Sequence, residues 1–455
     1  MTSNLPNYFL ADLPPEATLA PAMVTEACQT LRRNRDHYLH ARSTRSMVEL
    51  LASVAENWLD PQYPLRQFAL EAGQSATRFS EQTLASGLEH FFRQLTPESL
   101  NALVAQELGH SSRLDSLVAT APEECHRRAG IAVGPGLLAH IAAGTLPPPT
   151  LTSIVLGLLA RSAQFVKCSS RAVFLPRLFA HSLYKADPKI GACLEIAVWP
   201  GGTGLLEEAL FAEADCLTVT GSDETVAAIR QRLPARVRLL GYGHRVSFAY
   251  VTREVLSAFS AKRAAASASR DVAAWNQLGC LSPHVFYVEN GGTVTPEAFA
   301  AMLAEQLAER ECAEPRGQLS IEESADIATR RDYYAVRAAN LPDTRLWMSE
   351  GSTAWTVVYE DEPRFQVSCL NRFIFVKSVE NLAQALHGAE MVRGQVSTVG
   401  LAADEQQVEP IARELARWGV TRVCPLGQMQ QPPLTWRHDG RPALGDLVTW
   451  MDLEK

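Results

Sequence analysis

The apolar positions change their period near residue 126. Before it, Ser46-Met-Val-Glu-Leu-Leu-Ala-Ser-Val-Ala and Pro97-Glu-Ser-Leu-Asn-Ala-Leu-Val-Ala-Gln repeat at helical spacing, and residues 1 to about 126 read as mostly helical. Thr96 suits the N-cap of the second run, with Pro97 and Glu98 in its first turn. After it, short apolar runs alternate with helical stretches. Gly130–Pro149 reads as a strand and a Gly/Pro-rich loop leading into a helix from Thr150. Strands are predicted at 163–167, 194–199, 216–220 and 237–241, with helices at 171–184, 204–211 and 223–233 between them. An Ala-rich helix or helix pair over 252–278 follows, then a strand at 285–289 and a helix at 295–311. Strand-like runs at 354–359 and 371–376, a helix at 409–418 and a strand at 420–424 complete a second α/β unit. The tail from Gly427 is rich in Pro, Trp and polar residues.

This alternation specifies an α/β protein with helices packed on parallel sheet. Ligands on such sheets bind beyond the carboxyl ends of the strands. The segments to inspect are therefore Lys167-Cys-Ser169-Ser170, Pro200-Gly-Gly-Thr203-Gly204, Thr220-Gly221-Ser222 and Gly241-Tyr-Gly243-His244-Arg245. No Gly-x-Gly-x-x-Gly fingerprint occurs at these positions, so a nucleotide must be held in another way.

Length and charge narrow the picture. A chain of 455 residues implies two or three domains. A net charge of −8 leaves no basic excess for nucleic acid. The basic cluster of Arg32, Arg33, Arg35, Arg42, His37 and His40 is either a solvated helix face or a greeting for an anionic cofactor. No signal peptide is visible, and the oily stretch Ile154–Ala160 is too short to span a bilayer. Nine scattered cysteines without a Cys-x-x-Cys pair suggest neither a disulfide framework nor a metal site, and fit a reducing cytoplasm.

One cysteine stands apart. In Asp271-Val-Ala-Ala-Trp-Asn276-Gln277-Leu-Gly279-Cys280-Leu-Ser-Pro283, a thiol follows a polar pair and a glycine. It is either a packed thiol at a helix end or a nucleophile, with a small neighbour that admits a carbonyl and turn N–H groups that meet an oxyanion. His244 and His284 are candidates for an imidazolium that lowers its pKa.

These segments, in this order, resemble the aldehyde dehydrogenase superfamily over roughly residues 125–455, and within it the LuxC-type long-chain acyl-CoA reductases. Asn276-Gln-Leu-Gly-Cys280 is similar to the superfamily's Asn-Gln-Gly-Gln-Cys nucleophile motif. Val219-Thr220-Gly221-Ser222-Asp-Glu224 is similar to its Phe-Thr-Gly-Ser-x-Glu cofactor motif, and Val166-Lys167-Cys-Ser169-Ser170 to its Lys-Pro-x-Glu ribose segment. His140-Ile-Ala-Ala-Gly144, Asn371-Arg372 and Trp436-x-His438-Asp439-Gly440 carry the subfamily character. The resemblance implies a Rossmann-type cofactor domain with the helical region over 1–251. It also implies an α/β catalytic domain over 252–430 and an oligomerisation tail over 431–455.

Three departures from the superfamily pattern bear on chemistry. The water-activating Glu is replaced in Gly241-Tyr-Gly243-His244, so an acyl group on Cys280 is expected to resist hydrolysis. Ser170 replaces the ribose-binding Glu, which removes repulsion of a 2′-phosphate that Lys167 can pair with. Thr145 stands for the oxyanion-hole Asn.

The expected function is NADPH-dependent reduction of a fatty acyl thioester to the aldehyde through acyl-Cys280, with NADH as an alternative reductant. The resemblance implies Cys280, Asn276 and Thr145 at the reaction centre, with His244 added as a Cys–His pairing candidate, and Lys167, Ser169, Ser170, Thr220, Gly221 and Ser222 at the cofactor, with Gly241 and Gly243 added from their place after a strand end. Acyl-CoA is the expected donor. An acyl-carrier-protein thioester or acyl phosphate, or a non-reducing acyl-carrying subunit, is the alternative. The family's usual partners are an acyl-activating ligase and an acyl transferase, and the resemblance implies a homo-oligomer.

Overall fold

The computed structural model describes residues 5–14, 16–142, 144 and 146–455. Chain contacts divide it into two units. The first comprises Met1–Thr77, Leu88–Gly243 and Pro433–Lys455; the second comprises Arg78–Gly87 and His244–Pro432.

The first unit begins with helices, including Pro21–Asn34, Thr44–Leu59, Pro64–Thr77 and Pro97–Leu108. Thr96 caps the last of these, its side chain accepting the N–H of Ser99. Strand β1 (Arg128–Val133) pairs antiparallel with the C-terminal strand Thr449–Glu454. Then come β2 (Leu137–Ile141), β3 (Ala163–Cys168), β4 (Leu194–Val198), β5 (Cys216–Thr220) and β6 (Arg238–Tyr242). They form a parallel sheet in the order β4-β3-β2-β5-β6. The chain adds strands to one side of β2 and then returns to the other. The switch point lies at the carboxyl ends of β2 and β5, where α/β sheets bind ligands.

Buried His140 ties three of these strands together. Its ring nitrogens meet Thr218 Oγ1 at 2.6 Å and Gln164 Oε1 at 2.9 Å. Burial pushes its pKa down to about 4, so it is a neutral strut. The basic cluster serves the fold: Arg32 pairs with Asp215, and Arg42 with Asp187.

The second unit holds β7 (Val246–Val251), β8 (Pro283–Glu289), β9 (Thr344–Met348), β10 (Thr356–Glu360), β11 (Phe373–Val379), β12 (Val396–Ala402) and β13 (Arg422–Pro425). Their order is β13-β12-β7-β8-β11-β10-β9, parallel except for the edge strand β9. Side chains alternate between two cores. Phe248, Tyr250, Val285 and Tyr287 enter one, while Ala249, Val251, Phe286 and Val288 enter the other. Both faces are covered, so the strands read as continuous apolar runs. Ala261, Ala264, Ala265 and Ala268 turn the small-residue face of helix Ala258–Ala273 inward. Among the described residues, no helix is long and apolar enough to cross a membrane.

The expected helix over 171–184 starts later, at Phe174, and runs to Ala186. The expected strand over 371–376 starts at Phe373, because Leu370, Asn371 and Arg372 are left-handed, with φ of 65°, 54° and 67°. Arg372 is held there by Glu311 at 2.8 Å and by the carbonyl of Glu314 at 2.9 Å.

Candidate active site

Cys280 lies in the second unit and is exposed. Helix Ala258–Ala273 ends, and Trp275, Asn276 and Gln277 turn left-handed at φ of 50°, 53° and 64°. For L residues this conformation costs about 1–2 kcal/mol each, so the surroundings must hold it. Trp275 is seated against Gly87, where a Cβ would come within 2.0 Å of its ring. Phe79 meets the same ring edge-on at 5.2 Å. Buried Gln277 donates to the carbonyl of Pro283 at 2.8 Å. Asn276 is also buried, and its Oδ1 has no hydrogen-bond partner among the described residues.

The thiol follows on a tight turn. Ser282 N–H donates to the carbonyl of Gly279 at 2.9 Å, making Cys280 the second residue of that turn. Ser247 Oγ on β7 donates to the Cys280 carbonyl at 2.7 Å and accepts the N–H of Thr398 at 3.2 Å. Strand β8 then starts at Pro283. The thiol therefore stands at the entry of a buried strand, on a turn whose backbone is pinned to the sheet.

The other cysteines differ. Burial pushes Cys28, Cys168 and Cys193 up to about 12, and Cys369 and Cys424 up to about 11. Such thiols stay protonated and inert at neutral pH. Cys125 and Cys312 are exposed but lie at the ends of helices Ala121–Cys125 and Pro296–Ala313.

His284 does not supply the imidazolium considered for it. It is buried, its Nδ1 accepts the N–H of Ser368 at 3.1 Å, and burial, aided by His244, lowers its pKa to about 4. It is a neutral acceptor at pH 7. His244 itself is exposed. Thr145 lies outside the described residues.

The proposed cofactor residues all fall in the first unit, at one edge of its sheet. Lys167, Ser169 and Ser170 close β3; Thr220, Gly221 and Ser222 close β5; Gly241 and Gly243 flank the end of β6. Lys167 is buried, which lowers its pKa, while Glu207 opposes that shift. Ser170 is exposed, and Ser169 Oγ donates to the Gly144 carbonyl at 3.4 Å. Ser222 caps helix Asp223–Arg232 by accepting the N–H of Thr225 at 3.3 Å. A side chain at Gly241 or Gly243 would require a neighbouring side chain to move. A Cβ would lie 2.6 Å from Val226 Cγ1 at the first and 2.0 Å from Asp223 Oδ1 at the second.

Other residues shape this edge without a sequence motif to announce them. Glu207 accepts the N–H of Gly202 at 2.9 Å and pairs with Arg232, which fixes the loop after β4. The tail motif also contributes: His438 stacks on Tyr242 at 4.4 Å, and Trp436 lies 4.8 Å from His438. Arg441 covers the Tyr242 ring at 4.7 Å and donates to the carbonyl of Gly241 at 3.0 Å. The segment Trp436–Arg441 is thus a clamp on the end of β6.

A family model for acyl-CoA reductase (LuxC) matches residues 39–450. The chain is 21% identical to a long-chain acyl-protein thioester reductase of Vibrio harveyi, covering 92% of this chain and 84% of that relative. It is 23% identical to the enzyme of the same name from Aliivibrio fischeri, with 90% and 82% covered. Among solved structures, bifunctional proline utilization A matches with a TM-score of 0.71 at 17% identity, over 97% of this chain and 45% of that one. A Thermus thermophilus 1-pyrroline-5-carboxylate dehydrogenase mutant matches with a TM-score of 0.67 at 14% identity, over 96% and 86%. The fold is that of the aldehyde dehydrogenases.

Proposed function

The chain belongs to the LuxC acyl-CoA reductase family, and from that premise we propose that it reduces a long-chain acyl thioester to the aldehyde through acyl-Cys280, with NADPH as reductant. The exposure of Cys280 on a pinned turn carries this reading. In the first half-reaction, the Cys280 thiolate attacks the acyl carbon and the donor thiolate leaves. Coenzyme A leaves readily as a thiolate, so no strong general acid is needed. The backbone N–H of Cys280, and the Thr145 hydroxyl by family resemblance, are assigned to the oxyanion.

The first unit is proposed to hold the cofactor and the second the nucleophile. The glycine-rich edge fits a nucleotide. A Cβ at Gly144, Gly201 or Gly202 would meet no atom of the described residues within 4 Å, so among them that space is left open. Ser222 and the first turn of its helix offer N–H groups to phosphate, and Lys167 with Ser169 and Ser170 is assigned to the adenosine ribose. When bound, nicotinamide supplies a hydride to the acyl carbon. Cys280 then leaves as thiolate, takes up a proton, and the aldehyde departs. With Gly241 closed by Val226, no carboxylate stands there to activate water, which favours reduction over hydrolysis. Asn276, buried within the nucleophile turn, is assigned a supporting role, and His244 a role in tuning the thiol.

The relatives are named acyl-protein thioester reductases, which makes an acyl-protein the second candidate donor beside acyl-CoA. Offering one acyl chain as a coenzyme A thioester and as a protein thioester separates the two. The deciding experiment is labelling with radioactive hexadecanoyl-CoA. Wild-type protein is expected to retain acyl label that NADPH discharges as hexadecanal, and Cys280→Ala to retain none. Label on Cys280→Ala would assign the nucleophile elsewhere.

A further inference from the structure

The loop Gly427–Gln430 is fixed from three directions, and it presents one carboxamide to the nucleophile turn. Asp271, on the helix that leads to Cys280, accepts the N–H of Gly427 at 2.5 Å and of Met429 at 2.9 Å. Arg422 on β13 donates to the carbonyls of Met429 at 2.6 Å and Gln428 at 2.9 Å. Met429 is fully buried against Gly400, where a Cβ would lie 2.6 Å from its sulfur. Asp271 and Arg422 are both buried, and burial pushes the Asp271 carboxyl up to about 7. Two ionisable groups are taken out of water to hold this loop, which the fold does at some expense.

The Gln430 side chain lies flat on Gly279. A Cβ at Gly279 would stand 2.4 Å from its Nε2 and 2.9 Å from its Oε1. The same Nε2 donates to Ser282 Oγ. Gly279 and Ser282 are the two ends of the hydrogen-bonded turn that carries Cys280. One carboxamide therefore touches both ends of the turn, while Ser247 holds the carbonyl between them.

We propose that Gln430 is a positioning residue for Cys280, locking the Gly279–Ser282 turn so that the thiol meets the acyl carbon in one orientation. This rests on Cys280 being the nucleophile. Small misplacements of a reacting group are costly, on the order of 100-fold in rate for an ångström.

The test uses full-length Gln430→Glu, which is isosteric, and Gln430→Ala. Two quantities are read per folded molecule: the pre-steady-state rate of acylation by radioactive hexadecanoyl-CoA, and the pH profile of Cys280 alkylation by iodoacetamide. Acylation is expected to fall on the order of 100-fold in both variants. In Gln430→Glu the alkylation profile is expected to move to higher pH, because a carboxylate beside the turn disfavours thiolate. Wild-type acylation in both variants overturns the proposal. So does a loss that only tracks unfolding, with the alkylation profile unchanged. Alkylation needs no acyl donor and reads the turn whichever thioester the enzyme uses. Cys280→Ala is run beside them: label retained there defeats the nucleophile assignment itself, whatever Gln430 does.

Discussion

Val226 fills the space that a side chain at position 241 would need, its Cγ1 lying 2.6 Å from where a Cβ on Gly241 would stand. The superfamily resemblance puts the water-activating glutamate of the hydrolytic enzymes at this position. Here both the carboxylate and the room for it are missing, so restoring hydrolysis requires two changes. Gly241→Glu alone is expected to lose about 1–3 kcal/mol of stability from overpacking. Gly241→Glu combined with Val226→Ala is expected to divert acyl-Cys280 to free fatty acid. Chromatography of products from one acyl-CoA checks this. Aldehyde as the sole product of a folded double variant would mean that something other than the absent base protects the acyl-enzyme.

Ser170 stands exposed on the turn after β3, beside the buried Lys167 stem. A carboxylate introduced there faces the proposed site of a 2′-phosphate. Two like charges at such range repel by roughly 1–4 kcal/mol between bulk water and a protein surface. Ser170→Glu is therefore expected to cut kcat/KM for NADPH at least about tenfold while leaving NADH nearly unchanged. An equal fall for both cofactors would place the ribose elsewhere.

Gly87 faces the ring of Trp275, the first of the three left-handed residues before Cys280. A methyl group there must push the indole, because it would otherwise lie 2.0 Å from it. Gly87→Ala is expected to destabilise the protein by about 1–3 kcal/mol and to slow acylation of the protein that remains folded. A melting curve and a single-turnover acylation measurement separate the two effects. Wild-type acylation at lowered stability would show that the turn holds its shape without Trp275.

The parallel sheets were legible because buried strands are written as short β-branched runs between helical stretches. The turn that carries Cys280 was legible because the proposed nucleophile motif occupies consecutive residues. What escaped the sequence was set by contacts far away along the chain. Strand Val246–Val251 follows directly on the Gly243-His-Arg turn and was not separated from it. Helix Ile321–Asn340 has a mostly exposed surface and gave no clear apolar stripe. Asn371 and Arg372 look like the start of a strand, yet an ion pair to Glu311 holds Arg372 in a left-handed turn. Gln430 and the clamp on Tyr242 lie far in sequence from the segments they fix, so no local pattern reports them.

Glu195, on β4, accepts the N–H groups of Leu10 at 2.7 Å and Ile196 at 3.0 Å through one carboxyl oxygen. Burial raises its pKa from 4.5 to about 8. Below pH 4.5 the group is protonated in both folded and unfolded chains, so it brings no penalty there. Between 4.5 and 8 the unfolded chain releases the proton more readily, and stability falls as pH rises through that window. Glu195→Gln keeps an oxygen for both N–H groups and carries no charge. Relative to wild type it is expected to gain on the order of 2 kcal/mol between pH 5 and pH 9, less than the full shift implies because the side chain is partly exposed. Urea unfolding at the two pH values measures the difference. An equal pH dependence in both proteins would mean that Glu195 ionises in the folded state without cost.

The C-terminal strand is exposed along its whole length although it is paired with β1. Strand geometry places Met451 and Leu453 on the same face, at 48% and 38% exposure. A two-stranded ribbon with an apolar face and an open edge is rarely left bare, because it invites pairing with another chain. A second copy of this chain is the proposed cover, in line with the homo-oligomer that the family resemblance implies. Met451→Lys with Leu453→Lys places two charges on that face without touching either proposed reaction site. The double variant is expected to elute as a smaller species than wild type by size-exclusion chromatography with light scattering, with acylation of Cys280 retained. Wild-type protein that is already monomeric at micromolar concentration, or a variant of unchanged mass, would remove this strand from the interface.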